Sequence, residues 1–126
     1  MGQIIKTIAC IRRRPDLSVE EFERYWLASH ARLIQSLAGT MKMRRYVQSH
    51  LLRGDLTDLF SGSRNAIEPF DGTAEVWFDA DDLSGDMTHA QLEANLAMLE
   101  DERNFIDVER SAFFFAVEHE FISEQD

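Results

Sequence analysis

Ser18 to Leu37, SVEEFERYWLASHARLIQSL, opens with a helix-start signature and then loads the helix with large and titratable side chains. Ser18 and Glu21 stand three apart, the spacing at which each side chain satisfies the other's unpaired backbone N–H in a capping box. Pro15 and Asp16 keep the chain before it extended or turning, so the helix is predicted to begin at Ser18 and no earlier. Phe22, Trp26, Ser29 and Leu33 recur at helical spacing as one stripe facing something apolar, with Tyr25 and His30 at its edge. His30 falls about one turn beyond Trp26, toward the C-terminal part of the helix, where the dipole favours a protonated ring. Gly39 suits the C′ position that ends it.

Working outward, Gln3 to Ile11 reads as a strand apolar on both parities: Ile4, Ile8 and Cys10 on one, Ile5, Ala9 and Ile11 on the other. Such a strand is normally buried on both sides. Met41 to Leu52 reads as a second strand. Met43, Val47 and Leu51 share one parity, and Arg44, Tyr46, Gln48 and His50 share a polar one. Arg53 to Asp71 is a long connection whose Leu56, Leu59, Phe60, Ile67 and Phe70 predict a packed loop. Thr73 to Phe78 is a third strand, with Ala74, Val76 and Phe78 opposite Glu75 and Trp77. A second helix is predicted over about Asp86 to Leu99, with Leu92, Leu96 and Leu99 as its buried stripe. Ser111 to Phe121 is a fourth strand, again apolar on both parities.

The order β-α-β-β-α-β predicts an α+β, ferredoxin-like fold with a four-stranded antiparallel sheet and both helices on one face. The other face would then expose the apolar parities of the first and last strands unless a second copy covers it. A homodimer of face-to-face sheets is the expected answer, with an apolar cavity lined by the second and third strands. The 126 residues make one domain, 1–126, and no repeat or linker divides them. A formal charge of −10 argues against nucleic acid and anionic membrane surfaces as partners, since both need basic patches. No apolar run is long enough to span a membrane. The single Cys10 and the lack of an export signal place the chain in a reducing cytoplasm, with Cys10 as a small buried hydrophobe.

Several motifs together carry a family resemblance. Arg12-Arg13-Arg14-Pro15, Ser18-Val19-Glu20-Glu21-Phe22, Tyr25-Trp26, His30-Ala31, Arg45-Tyr46-Val47-Gln48-Ser49-His50, Phe70-Asp71-Gly72 and Ala74-Glu75-Val76-Trp77-Phe78 resemble the EthD-like family of dimeric α/β-barrel proteins. The resemblance runs over nearly the whole chain in the right order. It implies a dimeric α/β barrel. The family is named for ethyl tert-butyl ether degradation, and its members include cofactor-free decarboxylases, dehydratases and cyclases of aromatic or polyketide compounds.

The chemistry is argued from the side chains. His30 and His50 are the candidate catalytic residues, because a histidine beside an apolar cavity serves as acid or base near neutral pH. The competing role for each is a histidine bonded in the core or at a helix end. Tyr46 and Gln48 share a strand parity with His50 and are candidates to bind a substrate oxygen, or they satisfy one another at a polar edge. Asp71 and Glu75 are candidates to orient a histidine or to act as desolvated bases, although Asp71-Gly72 is also an ordinary turn dipeptide. Trp26 and Trp77 are candidate pocket walls. No close-spaced Cys/His cluster, phosphate-cradling glycine loop or serine elbow is present, so no metal and no cofactor is assigned. The leading expectation is a cofactor-independent lyase-type enzyme acting on a small apolar, oxygenated or aromatic substrate. The alternatives are a non-catalytic protein that shelters such a metabolite, or a cofactorless oxygenase with Trp26 and Trp77 around an oxygen pocket.

Overall fold

In the computed structural model, which describes residues 2–124, four strands form one antiparallel sheet: β1 (Ile4–Ile11), β2 (Arg45–His50), β3 (Gly72–Asp79) and β4 (Ala112–Ala116). Their order across the sheet is β2-β3-β1-β4. This is the ferredoxin-like arrangement, in which the central strands β1 and β3 pair antiparallel with Ala9 opposite Ala74 and Thr7 opposite Val76. β2 pairs with β3 in a register that sets Gln48 opposite Ala74 and Tyr46 opposite Val76. Directly paired residues point to the same face, so Tyr46, Gln48, Ala74, Val76, Thr7 and Ala9 all share one. Ala9 and Ala74 pack against the core formed with the first helical layer, which identifies this as the helix-covered face. The polar parity of β2 therefore looks into the protomer, where the sequence reading had it on a face covered by a second copy.

The predicted first helix is one continuous rod with three parts: α1 (Val19–Arg24), a π-helical turn (Tyr25–His30) and α2 (Ala31–Met41). Its start is the predicted capping box: Glu21 N–H donates to Ser18 Oγ at 3.0 Å and Ser18 N–H donates to Glu21 Oε1 at 2.9 Å. Phe22, Trp26, His30 and Ile34 are all buried. They recur strictly every four residues, a spacing that overshoots a regular α-helical turn by about 40° each time. A π turn, closed by i→i+5 bonds, is wider and takes back part of that drift. The same rotation turns Ser29, placed on the stripe by α-helical spacing, out to solvent. The helix runs through Gly39 and ends at Met41. There Lys42 adopts the left-handed conformation (φ 58°) and Met43 N–H donates to the Ala38 carbonyl at 2.9 Å.

The core gathers at one end of the helix–sheet layer, where Ile11, Phe22, Trp26, Phe105 and Ile106 pack together. Trp26, 1% exposed, lies on Gly72, where a Cβ would come within 2.7 Å of the indole ring and 2.5 Å of the Ser49 carbonyl oxygen. The Asp71-Gly72 pair is thus a packing requirement before it is a turn. Asp71 accepts hydrogen bonds from the Arg13 N–H at 2.7 Å and the Arg53 guanidinium at 2.8 Å, tying the end of β1 to the start of β3.

Two elements depart from expectation. The connection after β2 holds a short helix, α3 (Asp55–Gly62), and its Leu56, Leu59 and Phe60 are exposed, as is Ile67, so it does not pack on its own protomer. The helix α4 (His89–Glu102) begins at a capping box of Thr88 and Gln91, and it turns over relative to the predicted stripe. Leu92, Leu96 and Leu99 are 53%, 56% and 48% exposed, while Ala94 is buried and Gln91, Asn95 and Met98 are half-buried. Leucine spacing identified a face of this helix but not the side on which the sheet lies. β4 ends at Ala116, five residues short of the prediction.

Trp26→Ala should destabilise the protein by ~3–5 kcal/mol in a urea titration, the usual cost of emptying a large core site. Gly72→Ala should also destabilise, and a double-mutant cycle should show part of its cost vanish when Trp26 is already Ala, with the Ser49 clash remaining.

Candidate functional site

The sheet and helices are not packed along their whole length. Beyond the aromatic core they part around a cavity of ≈ 530 Å³, with Thr7, Ala9, Ala74, Val76, Phe78 and Tyr46 on the sheet side. His30, Ile34 and Met41 line it from the first helix, Gln91, Asn95, Met98 and Glu102 from α4, and Phe113 and Phe115 from β4. The cavity is formed within one protomer, between sheet and helices, and not between the sheets of two copies as the sequence reading had it.

His30 sits where the packed core meets this cavity. The residue is 6% exposed, and its ring centroid lies 4.8 Å from that of Phe105. Nδ1 is 2.7 Å from Asp101 Oδ2. An ionised carboxylate only accepts, so Nδ1 bears an N–H, and in the neutral imidazole the lone pair is then on Nε2. Nε2 has no hydrogen-bond partner among the described residues. The expected helix-dipole partner is replaced by Asp101, because His30 stands mid-rod, with eleven more helical residues beyond it. Asp101 also accepts from the Tyr25 hydroxyl at 2.5 Å and from Asn104 Nδ2 at 3.2 Å. Burial pushes the Asp101 carboxyl up, but the hydrogen bonds from Tyr25, His30 and Asn104 outweigh it and hold the group below the usual carboxylate value.

Tyr46 faces the cavity from β2. Its hydroxyl accepts from Gln48 Nε2 at 2.7 Å, which leaves its own proton free for a ligand. The Gln48 amide is oriented by two further contacts: Nε2 also donates to the Trp26 carbonyl at 2.9 Å, and Oε1 lies 2.8 Å from His50 Nε2. The Trp26 carbonyl is the acceptor of the π-type bond from the Ala31 N–H, so the helix defect and the amide share one oxygen. Burial raises the Tyr46 hydroxyl above its ordinary value, with the Gln48 and Trp26 hydrogen bonds opposing; it stays a neutral donor.

His50 does not line the cavity. It stacks on Trp26 with centroids 4.0 Å apart, and its Nδ1 is 3.7 Å from Glu23 Oε2. Burial holds its imidazole below the ordinary value and Glu23 only partly offsets this, so it is neutral and donates through Nε2 to Gln48. The hydrogen-bonded chain His50–Gln48–Tyr46 therefore ends at the cavity, with His50 two side chains away from it.

The other candidates lie elsewhere. Trp26 is core. Trp77 and Glu75 point to the opposite face of the sheet, since the register pairs Trp77 with Lys6 and Glu75 with Ile8. There Trp77 Nε1 donates to Glu118 Oε1 at 2.6 Å, Arg45 lies over its ring and Lys6 pairs with Glu75. Neither tryptophan lines the cavity, which removes the oxygen pocket as the sequence reading built it. Asp71 is spent on Arg13 and Arg53; burial works against its ionisation, but those partners hold its carboxyl low. Among the described residues no group of three or more His, Cys, Asp or Glu side chains is placed to hold a metal ion. No helix among them is long and apolar enough to cross a membrane.

Asp101 and Glu102 were missed. The signal for them was present: Glu100, Asp101 and Glu102 crowd the C-terminal end of a helix, where the dipole disfavours acids. Carboxylates in that position need another reason to be there. Asp101 has one in His30. Glu102 has no hydrogen-bond or ion-pair partner among the described residues, and it borders the cavity.

The EthD domain matches residues 14–109. Among solved structures, an EthD-like protein from Ralstonia eutropha is similar at 14% identity, with 93% of each chain covered and a TM-score of 0.61. A dimeric protein of unknown function and ferredoxin-like fold from Bacteroides fragilis is similar at 16% identity over 90% of this chain and 95% of the other, with a TM-score of 0.57. Hydroxynitrile lyase from Passiflora edulis is similar at 14% identity over 98% of this chain and all (100%) of its own, with a TM-score of 0.56. No curated protein matches the chain in sequence. At these identities the structural likenesses establish the fold.

Burial, with the Asp101 charge adding to it, lifts the Glu102 carboxyl from 4.5 to about 7, Arg103 opposing. Because its folded value is raised, Glu102 supports stability below its unfolded value and that support is lost as pH climbs through about 7. Glu102→Gln should remove about 1–2 kcal/mol of stability loss between about pH 5 and pH 8, read from urea midpoints across that range and allowing for partial exposure. Asp101→Asn should release the His30 tautomer, visible as converging 15N shifts of its two ring nitrogens.

Proposed function

The chain belongs to the EthD family, and from that premise we propose that it is a cofactor-independent lyase-type enzyme for a small, largely apolar, oxygenated metabolite. One observation carries the reading: a buried histidine on the wall of a mostly apolar cavity is fixed by Asp101 through Nδ1 and has no protein partner at Nε2 among the described residues. His30 takes a proton from a carbon or hydroxyl of the substrate. The Tyr46 hydroxyl donates to the oxygen on which negative charge develops, its own lone pairs being held by Gln48. Loss of a leaving group or ring closure follows, and His30 returns the proton. Dehydration and cyclisation share this sequence, whereas a decarboxylation would use only its last part, delivery of a proton to the carbanion left when CO2 departs. His50 acts through Gln48 on the aim of Tyr46. That a hydroxynitrile lyase shares the fold supports a lyase reading by analogy alone.

We also propose that the protein works as a homodimer. Phe114 and Ile4 are exposed on the sheet face that carries no helices, and a similar structure is described as dimeric. Sedimentation at micromolar concentration should give about twice the 14.6 kDa chain mass; a compact monomer would remove this part of the proposal.

His30→Ala should lower turnover by about 10²–10⁴ with fold and assembly intact. His50→Ala should cost less, since Tyr46 stays in place. Before a substrate is known, the imidazole NMR signals give the first assay, with aromatic and polyketide-like ketones titrated in. Full activity of His30→Ala on an identified substrate would overturn the mechanism and favour a protein that only shelters its ligand.

A further inference from the structure

The walls of the cavity hold more acidic than basic side chains. Asp82, Asp86 and Glu102 border it, and among the described residues no lysine or arginine does. Asp82 and Asp86 are exposed at its rim, where Asp82 pairs with Lys42 Nζ at 3.7 Å outside the lining, whereas Glu102 is half-buried on the last turn of α4 and has no such partner among the described residues. Glu102 continues an inward row with Gln91, Asn95 and Met98 along one face of that helix. His30 is the one basic side chain on the wall, and its Nδ1 is already matched with Asp101. Tyr46 supplies a neutral donor.

From this arrangement we propose that the cavity selects its substrate by charge: it takes neutral oxygenated molecules and rejects carboxylates, with Glu102 as the residue that enforces the rejection. An anion entering a partly dry site with no cation to pair loses its hydration without compensation and is repelled by the wall. A neutral carbonyl or hydroxyl compound suffers neither cost and finds donors at Tyr46, Asn95 and, when it is protonated, Glu102. This rests on the same site as the lyase reading and narrows it. A decarboxylation substrate must bring a carboxylate into the cavity, whereas a dehydration or ring-closing substrate need not. The selection is also pH-dependent. The charges that bear on Glu102 are Asp101 of its own helix and Arg103 at that helix's C-cap; His30 of the π turn and Tyr46 of β2 share the cavity wall with it, and Asp86 and the Asp82–Lys42 pair stand at the rim; burial brings the Glu102 carboxyl to about 7, so its repulsion fades on mild acidification.

Three isosteres of one shape test the inference without turnover: 2-naphthamide (neutral), 2-naphthoate (anionic) and 2-naphthamidine (cationic), titrated by calorimetry into the protein at about pH 8 and pH 5.5. Wild type should bind the amide roughly tenfold or more tighter than the carboxylate at the higher pH, with the amidine not disfavoured. The gap should narrow at the lower pH. In Glu102→Gln it should be several-fold smaller and no longer follow pH, and in Glu102→Lys it should reverse. Retained affinity for the amide in Glu102→Gln shows that the cavity still stands in that variant. Equal affinities for amide and carboxylate in wild type, a ratio that Glu102→Gln leaves unchanged, or no binding by any of the three overturns the inference. Those affinities do not depend on proton transfer, so a fully active His30→Ala enzyme would sink the mechanism and leave charge selection intact.

Discussion

The π turn at Tyr25–His30 is the constraint on which the site depends, because it keeps a strict four-residue row of side chains on one side of a helix that would otherwise rotate them away. Trp26 then lies on Gly72 and closes the core, and His30 one step along the row arrives at the edge of the cavity. The carbonyl of Trp26, accepting the wide i→i+5 bond, spends its second lone pair on Gln48. One backbone distortion therefore aims both the histidine and, through the amide, the tyrosine opposite. An α-helical version of the same residues would have to give up either the Trp26 packing or the His30–Asp101 contact.

Asp101 and Glu102 show how two identical functional groups one residue apart are set to different work. Consecutive residues on a helix point about 100° apart, so Asp101 turns toward Tyr25, His30 and Asn104, while Glu102 turns to the cavity. Hydrogen bonds to the ionised form hold the first carboxyl charged; desolvation and the charge of its neighbour favour protonation of the second. A pair with separated titrations is the usual means by which one site holds a fixed charge and a labile proton together.

The fold was legible because it rests on local rules: the Ser18–Glu21 capping box, strand parities and the β-α-β-β-α-β order each leave a periodic trace. The site was legible in part. His30, Tyr46, Gln48 and His50 stood out as residue types in motifs, but their directions did not, since parity cannot say which face of a sheet its own helices cover. That ambiguity put the cavity between two copies and brought Trp77 and Glu75 into it, when both lie on the far face with Lys6, Arg45 and Glu118. It also hid the inversion of α4, where leucine spacing reports a stripe whatever it faces. A run of leucines outranks Gln91, Asn95 and Glu102 on any hydrophobic reading, and only the partner layer tells which side is inside.

That inversion is the structural cost of having a cavity at all. A helix that buried Leu92, Leu96 and Leu99 against the sheet would fill the space with side chains and gain roughly 1.5–3 kcal/mol for each one buried. Instead the small Ala94 and the polar Gln91 and Asn95 face inward, and the space beside them stays open. The packing given up on this side is concentrated at the other end, where Phe22, Trp26, Phe105, Ile11 and Ile106 interlock. The protomer is thus divided into a rigid aromatic half that fixes His30 and a hollow half that receives a ligand, and His30 lies on the boundary because its chemistry needs both: an immobile Nδ1 partner in the packed half and an unoccupied Nε2 toward the open one.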